Sequence, residues 1–353
     1  MATKPGHGEI EIRAIGKTSS IATLSSSYPL RLISPPGRGH ARAAMVFSLS
    51  FGGGLVAGDN VDMRVRVQAQ ARLALLTQGS TKVYKSPSRE VCTEQRLTAT
   101  VYEGAALLLL PDPVQPFMDS SYRQIQTVYM HPQLSNLLLL DWVSAGRTAR
   151  GEAWDFFKWR GRNEVWSLAT GDGGGSSGGC DMAGDMAGNN NSSDKGNNND
   201  KNSNRNTGNS AREKRLLLRD NLVLDDVSPV GAATWNYRDA MDDLGVFGTL
   251  IIRGPVFHKL GRFFMQQFAS LPRIQGKPNS GPKPNPSDKA EASPPSARPT
   301  SRLTWSATAI RGFVMVKFGA EEVDEAKRWL REMLRSDGTV EQEFGQHSLL
   351  CLQ

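Results

Sequence analysis

SLSFGGGLVAGDNVDMRVRVQAQARLALLTQGSTKVYKS (Ser48–Ser86) holds the choice on which the fold turns. Its glycines, Gly52, Gly53, Gly54 and Gly58, could cradle a phosphate or shape a bend. A phosphate loop works because backbone N–H groups converge at a helix N-terminus. This stretch lacks the Gly-Lys-Ser/Thr ending, and its glycine spacing is not that of a dinucleotide loop. Beyond the glycines the chain reads as strand. Val61, Met63, Val65, Val67, Ala69, Ala71, Leu73 and Leu75 share one face, while Asp62, Arg64, Arg66, Gln68, Gln70 and Arg72 share the other. Period two with β-branched residues predicts a half-buried strand or a bent strand pair. The glycines are therefore read as structural, allowing positive φ or close backbone approach at a sheet corner.

Working outward, further strands are predicted at 9–14, 43–51, 82–85, 92–102, 105–110, 121–130, 137–143 and 152–159. Four more are predicted at 216–224, 246–253, 303–310 and 312–318. A helix is expected over 257–270. A second lies in EEVDEAKRWLREMLRSDG (Glu321–Gly338), where Val323, Ala326, Leu330, Met333 and Leu334 form a stripe at helical spacing. Gly338 can supply its left-handed stop. Strands do not alternate with helices, which argues against a doubly wound sheet. The expectation is a mainly β fold with about two α-helices, one near the C-terminus.

The chain has 353 residues, 39% of them hydrophobic, enough for a sizeable core. Two tracts interrupt an otherwise single domain spanning 9–352. Residues 171–213 are rich in Gly, Asn and Ser, and 274–302 in Pro, Ser and Lys. Neither can bury enough apolar surface to offset its chain entropy, so both are expected to be disordered insertions. No apolar run approaches the roughly 18 residues that span a bilayer, and the first residues show no apolar signal segment. The expectation is a cytoplasmic protein with no membrane partner. Of the net charge of +7, residues 171–212 carry −1 and residues 274–302 carry +3; the remaining +5 is spread along strands, without a basic helix or an RNA-binding sheet motif. That pattern argues against nucleic acid and suits an acidic protein partner equally well. Cys92, Cys180 and Cys351 have neither zinc-type nor disulfide spacing. No serine-nucleophile elbow is present either.

Several motifs occur in a telling order: GGGLVAGD (Gly52–Asp59), LTQGSTKVYKS (Leu76–Ser86), LPDPVQPF (Leu110–Phe117) and LLDWVSAGRTARGE (Leu139–Glu152). RNE (Arg162–Glu164) and LLLRDNLVL (Leu216–Leu224) come after them. This succession resembles the urease accessory protein D family, UreD, called UreH in some bacteria. The resemblance implies stacked or helically wound β-sheets and a scaffold without catalysis. It implies an F-type accessory protein as partner, a G-type GTPase bound through it, and apo-urease as client. It also implies no tightly bound cofactor, with nickel in transit through a wet interior route.

A nickel conduit needs loosely held ligands, because a closed site would trap the ion. The five histidines are scattered, with no HxH or HExxH pattern, so no tight metal site is expected. Candidates for an interior path are Asp59, Asp141 and Glu164, beside apolar strand ends, with Lys82 and Tyr84 after the TQG turn. Asp112 stands in a similar place. The competing reading pairs such carboxylates with Arg147, Arg150 or Lys82, since buried charges are usually paired. For partner binding the candidates are Trp154, Phe157 and Trp159 in WDFFKW (Trp154–Trp159), with Arg147 and Arg150. Burial of those aromatics between sheets is the alternative. A second functional reading is a β-rich enzyme using Asp59, Lys82 and Glu164 as acid/base groups.

Overall fold

A computed structural model of the chain describes residues 4–35, 42–131, 133–168, 214–225, 237–272 and 303–353. Both expected insertions, 171–213 and 274–302, lie outside these residues, as does Cys180. The chain opens with β1 (His7–Ile15), β2 (Thr18–Ser26), β3 (Leu30–Ile33), β4 (Ala44–Ser50), β5 (Gly54–Leu55) and β6 (Asn60–Val67). It continues with β7 (Arg72–Thr77), β8 (Thr81–Val83), β9 (Thr93–Val101), β10 (Ala106–Leu110), β11 (Val114–Pro116), β12 (Ser121–Met130) and β13 (Asn136–Ser144). Then come β14 (Lys158–Ser167), β15 (Leu216–Asp225), α1 (Tyr237–Met241), β16 (Val246–Arg253) and α2 (His258–Ala269). The last elements are β17 (Thr304–Ile310), β18 (Phe313–Ala320), α3 (Val323–Asp337) and α4 (Thr339–Phe344).

These strands build a seven-stranded sheet, ordered β15-β14-β12-β9-β6-β1-β2, and an eleven-stranded sheet whose main path is β17-β18-β16-β13-β10-β7-β4-β3. From β6 to β14 the chain passes back and forth between the two. Successive visits to one sheet pair parallel and in register. Val65, Ala99, Val128 and Val165 line up across β6, β9, β12 and β14. Leu75, Leu109 and Leu139 line up across β7, β10 and β13. The chain is therefore wound helically through two stacked sheets, as the resemblance implied.

The glycine stretch is a bend between strands. Gly52 and Gly53 lie in a single 3-10 turn with φ of 68° and 75°, and Gly58 has φ of 84°. Gly54 is extended, and a Cβ there would sit 2.8 Å from both the Lys82 carbonyl oxygen and the Tyr84 ring. Strand β5 emerges directly, with no helix after the bend. The long alternation beyond it is a strand pair. It breaks at Gln70, whose φ is 63°, leaving β6 in one sheet and β7 in the other.

Three layers result. Val46, Leu75, Leu109, Leu139 and Ile251 of the eleven-stranded sheet pack against Ile10, Val65, Ala99, Val128 and Val165 of its neighbour. On its other face Leu76, Leu108, Leu138, Leu250 and Val316 meet Leu260, Phe264, Leu330, Leu334 and Phe344 from α2, α3 and α4. Strand β13 is consequently buried at every position, which explains its continuous apolar run.

Three expectations need correction. Residues 152–157 are not strand: Trp154 has φ of 59°, and β14 begins only at Lys158. Strands β2 and β3 escaped the sequence reading because Thr18–Ser26 is dominated by Ser and Thr and Leu30–Ile33 is short. Short helices α1 and α4 join the two long ones that were expected. Among the described residues no helix is long and apolar enough to cross a membrane.

Leu139 is 1% exposed at the centre of the inter-sheet core. Leu139→Ala is expected to destabilise the protein by about 2–5 kcal/mol, through lost transfer energy plus a residual cavity. Chemical denaturation measures this, and an unchanged midpoint would contradict the packing described.

Candidate functional site

Two positions after Leu139 on the same face of β13 comes Asp141, so its carboxylate enters the space between the sheets. It is 6% exposed. Gln124 Nε2 of β12 donates to its Oδ1 at 2.7 Å, and Asn163 Nδ2 of β14 donates to its Oδ2 at 2.7 Å. The Tyr122 hydroxyl donates to Gln95 Oε1 at 2.5 Å and lies 3.0 Å from Gln124 Oε1. Gly161 makes room for the cluster: a Cβ there would be 2.3 Å from the Trp159 ring and 3.4 Å from Asp141 Oδ2. On the other side of Asp141, Lys317 Nζ of β18 donates to Asp220 Oδ1 of β15 at 2.8 Å and to Thr249 Oγ1 of β16 at 3.0 Å.

A cavity of about 70 Å³ adjoins this cluster. Its polar lining includes Gln95, Gln124, Gln126, Asp141 and Asp112, and Met63, Leu97 and Leu109 are among its apolar walls. One water needs roughly 10–15 Å³ and two to four polar partners, so the space suits several waters. Asp112 is tied down at the edge. It accepts from Thr77 Oγ1 at 3.0 Å, from the Gly79 backbone N–H at 2.9 Å and from Lys327 Nζ of α3 at 2.7 Å.

Burial pushes the Asp141 carboxyl up from 3.8 to about 6. Nearby Asp220 pushes the same way, while the Asn163 and Gln124 hydrogen bonds and the Lys317 charge pull it down. Burial, aided by Asp141, also lifts the Tyr122 hydroxyl well above 10, so it stays a donor.

Of the predicted interior residues, only Asp141 stands in this seam. Asp59 is half-buried in the turn before β6, where its Oδ2 accepts from the Val56 N–H at 2.9 Å. Glu164 lies on the opposite face of β14 from Asn163. Arg219 holds it at 3.0 Å and Arg162 at 3.5 Å. Lys82 is exposed. Tyr84 braces the glycine bend, its hydroxyl donating to the Gly52 carbonyl at 3.3 Å and its ring edge-on to Phe117. Asp59, Lys82 and Glu164 neither bond nor pair with one another, so the acid/base set is not assembled. The expected pairing of interior carboxylates with Arg147, Arg150 or Lys82 is also corrected. Asp112 pairs with Lys327, Asp141 is held by amides, and Arg147 pairs with Glu152.

The aromatic segment divides. Trp154 and Trp159, 3% and 0% exposed, belong to the core and not to a docking face. Trp154 Nε1 donates to the Leu244 carbonyl at 2.8 Å. Phe157 and Arg147 are half-buried and Arg150 is exposed, so these three remain accessible. Sequence reasoning missed Gln95, Tyr122, Gln124, Asn163, Asp220, Thr249 and Lys317. The signal that could have found some of them was parity: in Ser121–Met130, Tyr122, Gln124 and Gln126 share the inward face with Val128 and Met130. Among the described residues no three His, Cys, Asp or Glu side chains converge on a closed metal cage. Burial pushes the Cys351 thiol up to about 12, leaving no thiolate there.

The family model of the UreD urease accessory protein matches residues 4–175 and 193–350. The chain belongs to the UreD family. It is 44% identical over 165 residues to the urease accessory protein UreD of Sorangium cellulosum, covering 46% of this chain and 51% of that protein. It is 37% identical over 160 residues to the urease accessory protein D of Oryza sativa subsp. indica, covering 45% and 52%. The chain thus spans about half the length of these relatives. A ureD-like urease accessory protein of Schizosaccharomyces pombe is 26% identical over 326 residues, 92% of each chain. All the seam residues named above fall within the UreD match.

The folded protein binds the Asp141 proton more tightly than the unfolded chain does. Stability from this group is therefore greatest below its ordinary value of 3.8 and falls as pH rises to about 6. Relative to Asp141→Asn, wild type is expected to lose up to about 3 kcal/mol over that window and nothing further above it. Denaturant titrations at several pH values measure the difference. Parallel pH profiles for the two proteins would contradict the burial-raised carboxyl.

Proposed function

We propose that this UreD protein is a urease-maturation scaffold that passes nickel toward apo-urease along the seam between its sheets. It binds an F-type accessory protein and, through it, the G-type GTPase, which supplies the nucleotide chemistry. The setting is the cytoplasm, and nickel is cargo with no resident cofactor. The names of its relatives, urease accessory proteins, support the maturation role. The observation that carries the transit role is the polar seam itself. A carboxylate held only by amides in an aliphatic core is a poor way to stabilise a fold, since well-packed apolar groups often serve as well or better. Oxygens from Asp141, Gln124 and Gln95, which line a cavity with room for water, can replace part of an ion's hydration shell. They bind weakly enough to release it, as passage requires. Phe157, Arg147 and Arg150 are the accessible remainder of the predicted docking segment and are assigned to partner recognition.

Complementation of cells lacking this chain provides the test. Wild type should restore urease nickel content. Asp141→Asn should still co-purify with the F-type partner yet deliver severalfold less nickel per urease. Full nickel loading of urease in the deletion strain would overturn the scaffold reading, and full loading with Asp141→Asn would overturn the assigned route.

A further inference from the structure

At one side of the seam, two short rows of polar side chains face each other. On the eleven-stranded sheet, Asp141, Thr249 and Lys317 are register partners across β13, β16 and β18. On the seven-stranded sheet, Asn163 and Asp220 are register partners across β14 and β15. Two contacts join the rows. Asn163 Nδ2 donates to Asp141 Oδ2 at 2.7 Å, and Lys317 Nζ donates to Asp220 Oδ1 at 2.8 Å. Lys317 Nζ also reaches Thr249 Oγ1 at 3.0 Å, which closes the set into a ring.

The charges in this ring do not balance. Two carboxylates share one ammonium. Asn163 adds a second irregularity: the residue is 2% exposed, and its Oδ1 is buried without a hydrogen-bond partner. Its amide nitrogen donates to Asp141, so the side chain that carries this unpaired carbonyl belongs to the same cluster. The two acceptors that the ammonium reaches are both oxygens, and a third, the unpartnered Asn163 Oδ1, belongs to the register partner of Asp220. That is the donor set a divalent cation takes, while tight trapping would need imidazole or thiolate.

Lys317 differs from the groups it touches. Its side chain is 40% exposed, against 10% for Asp220. Thr249 is 3% exposed. The oxygens are therefore fixed inside while the cation reaches them from the solvent side. A lysine ammonium is a hydrated point charge on a flexible stem, able to turn outward without disturbing its strand.

We propose that Lys317 is a tethered counter-cation, and that a divalent metal ion displaces it to bind Asp220, Thr249 and Asn163 Oδ1 with Asp141 behind them. This rests on reading the seam as the nickel route. The ion must exchange with the ammonium. Adding it beside Lys317 would place like charges together in a medium of low dielectric. After exchange the two carboxylates meet two positive charges and the ring is neutral. A monovalent ion gains nothing by the same move, because it replaces one charge with one charge and must compete with a cation already attached to the chain. Lys317 therefore acts as a filter for charge at the entrance to Asp141. Among divalent ions, the usual order of affinities favours nickel over magnesium.

The test uses the untagged full-length chain. Acetylation by an N-hydroxysuccinimide ester, read by mass spectrometry, reports how often each lysine is free. Lys317 labelling should rise severalfold in NiCl2, less in MgCl2 and not in KCl, while the exposed Lys259 stays constant. Calorimetric titration with NiCl2 supplies the second arm. Lys317→Gln and Lys317→Met should bind Ni²⁺ on the order of tenfold more tightly than wild type, as removal of one opposing charge predicts. Adding Asp220→Asn should cancel that gain. Unchanged Lys317 labelling at saturating Ni²⁺ overturns the proposal, and so do neutral variants that bind no more tightly. If those variants fail to fold, the labelling of wild type decides alone. Urease that is fully loaded without this chain would sink the scaffold reading but leave the exchange at Lys317 measurable. An immobile Lys317 beside an Asp141→Asn that blocks nickel loading would sink the exchange alone.

Discussion

The in-register parallel ladder of β7, β10 and β13 is the constraint on which the rest depends. These strands lie in the middle layer, so apolar side chains must leave them in both directions. Leu73–Leu76, Leu107–Leu110 and Leu137–Leu140 meet that demand with little else. Each fully buried leucine contributes about 1.5–3 kcal/mol of transfer energy. Yet strands that are apolar on both faces do not fix their own register, because a slip of one residue merely exchanges two hydrophobic faces. Polar groups at the ends of β13 fix it. Asn136 Nδ2 donates to the Ala105 carbonyl at 3.0 Å, and its Oδ1 accepts from the Val256 N–H at 2.8 Å. Trp142 Nε1 donates to the Pro111 carbonyl at 2.9 Å. A one-residue slip would break all three bonds and drive Asp141 into the helical layer.

The seam is a consequence of the same pinning. Once Trp142 is held on the helical side, Asp141 must face the other sheet, where Gln124 and Asn163 meet it. The raised carboxyl shows that two amides only partly offset its lost hydration. Gly161 supplies the room, since any side chain there would strike the Trp159 ring. One strand thus carries both the main core and the main exception to it, and the exception cannot move without the core.

How much of this could be read from the sequence depends on distance along the chain. The alternation in β6 and β7 was legible because side-chain parity is local. The turn at Gln70 was not marked by Gly or Pro, so strand pair and single bent strand looked alike. Asp141 was visible as a charge inside LLLLDWVS. Its partners were not legible as partners: parity turns Gln124 inward, but Gln124 and Asn163 are ordinary amides on amphipathic strands that reach Asp141 only through cross-sheet packing. Asp59 and Glu164 misled for the converse reason. Both stand near apolar residues in sequence, but Asp59 serves its own turn and the parity of β14 sends Glu164 outward to Arg219. The WDFFKW segment misled through its composition. Its aromatics suggested a strand, whereas Trp154 sits at positive φ and fills the core from a loop.

The choice of cation obeys the same division between the seam and the outer sheet face. On the outside of the seven-stranded sheet, carboxylates are clamped by arginine: Glu94 by Arg96 and Arg123, Glu164 by Arg162 and Arg219, Asp225 by Arg89 and Arg160. A guanidinium presents a planar fork that fixes its partner in place. On either side of β13, the carboxylates beside Asp141 pair with lysine instead, Asp112 with Lys327 and Asp220 with Lys317. An ammonium neutralises without imposing a plane and leaves with its own hydration. Arginine would fix the seam carboxylates in a plane as it does those of the outer face, whereas lysine compensates their charge without that constraint.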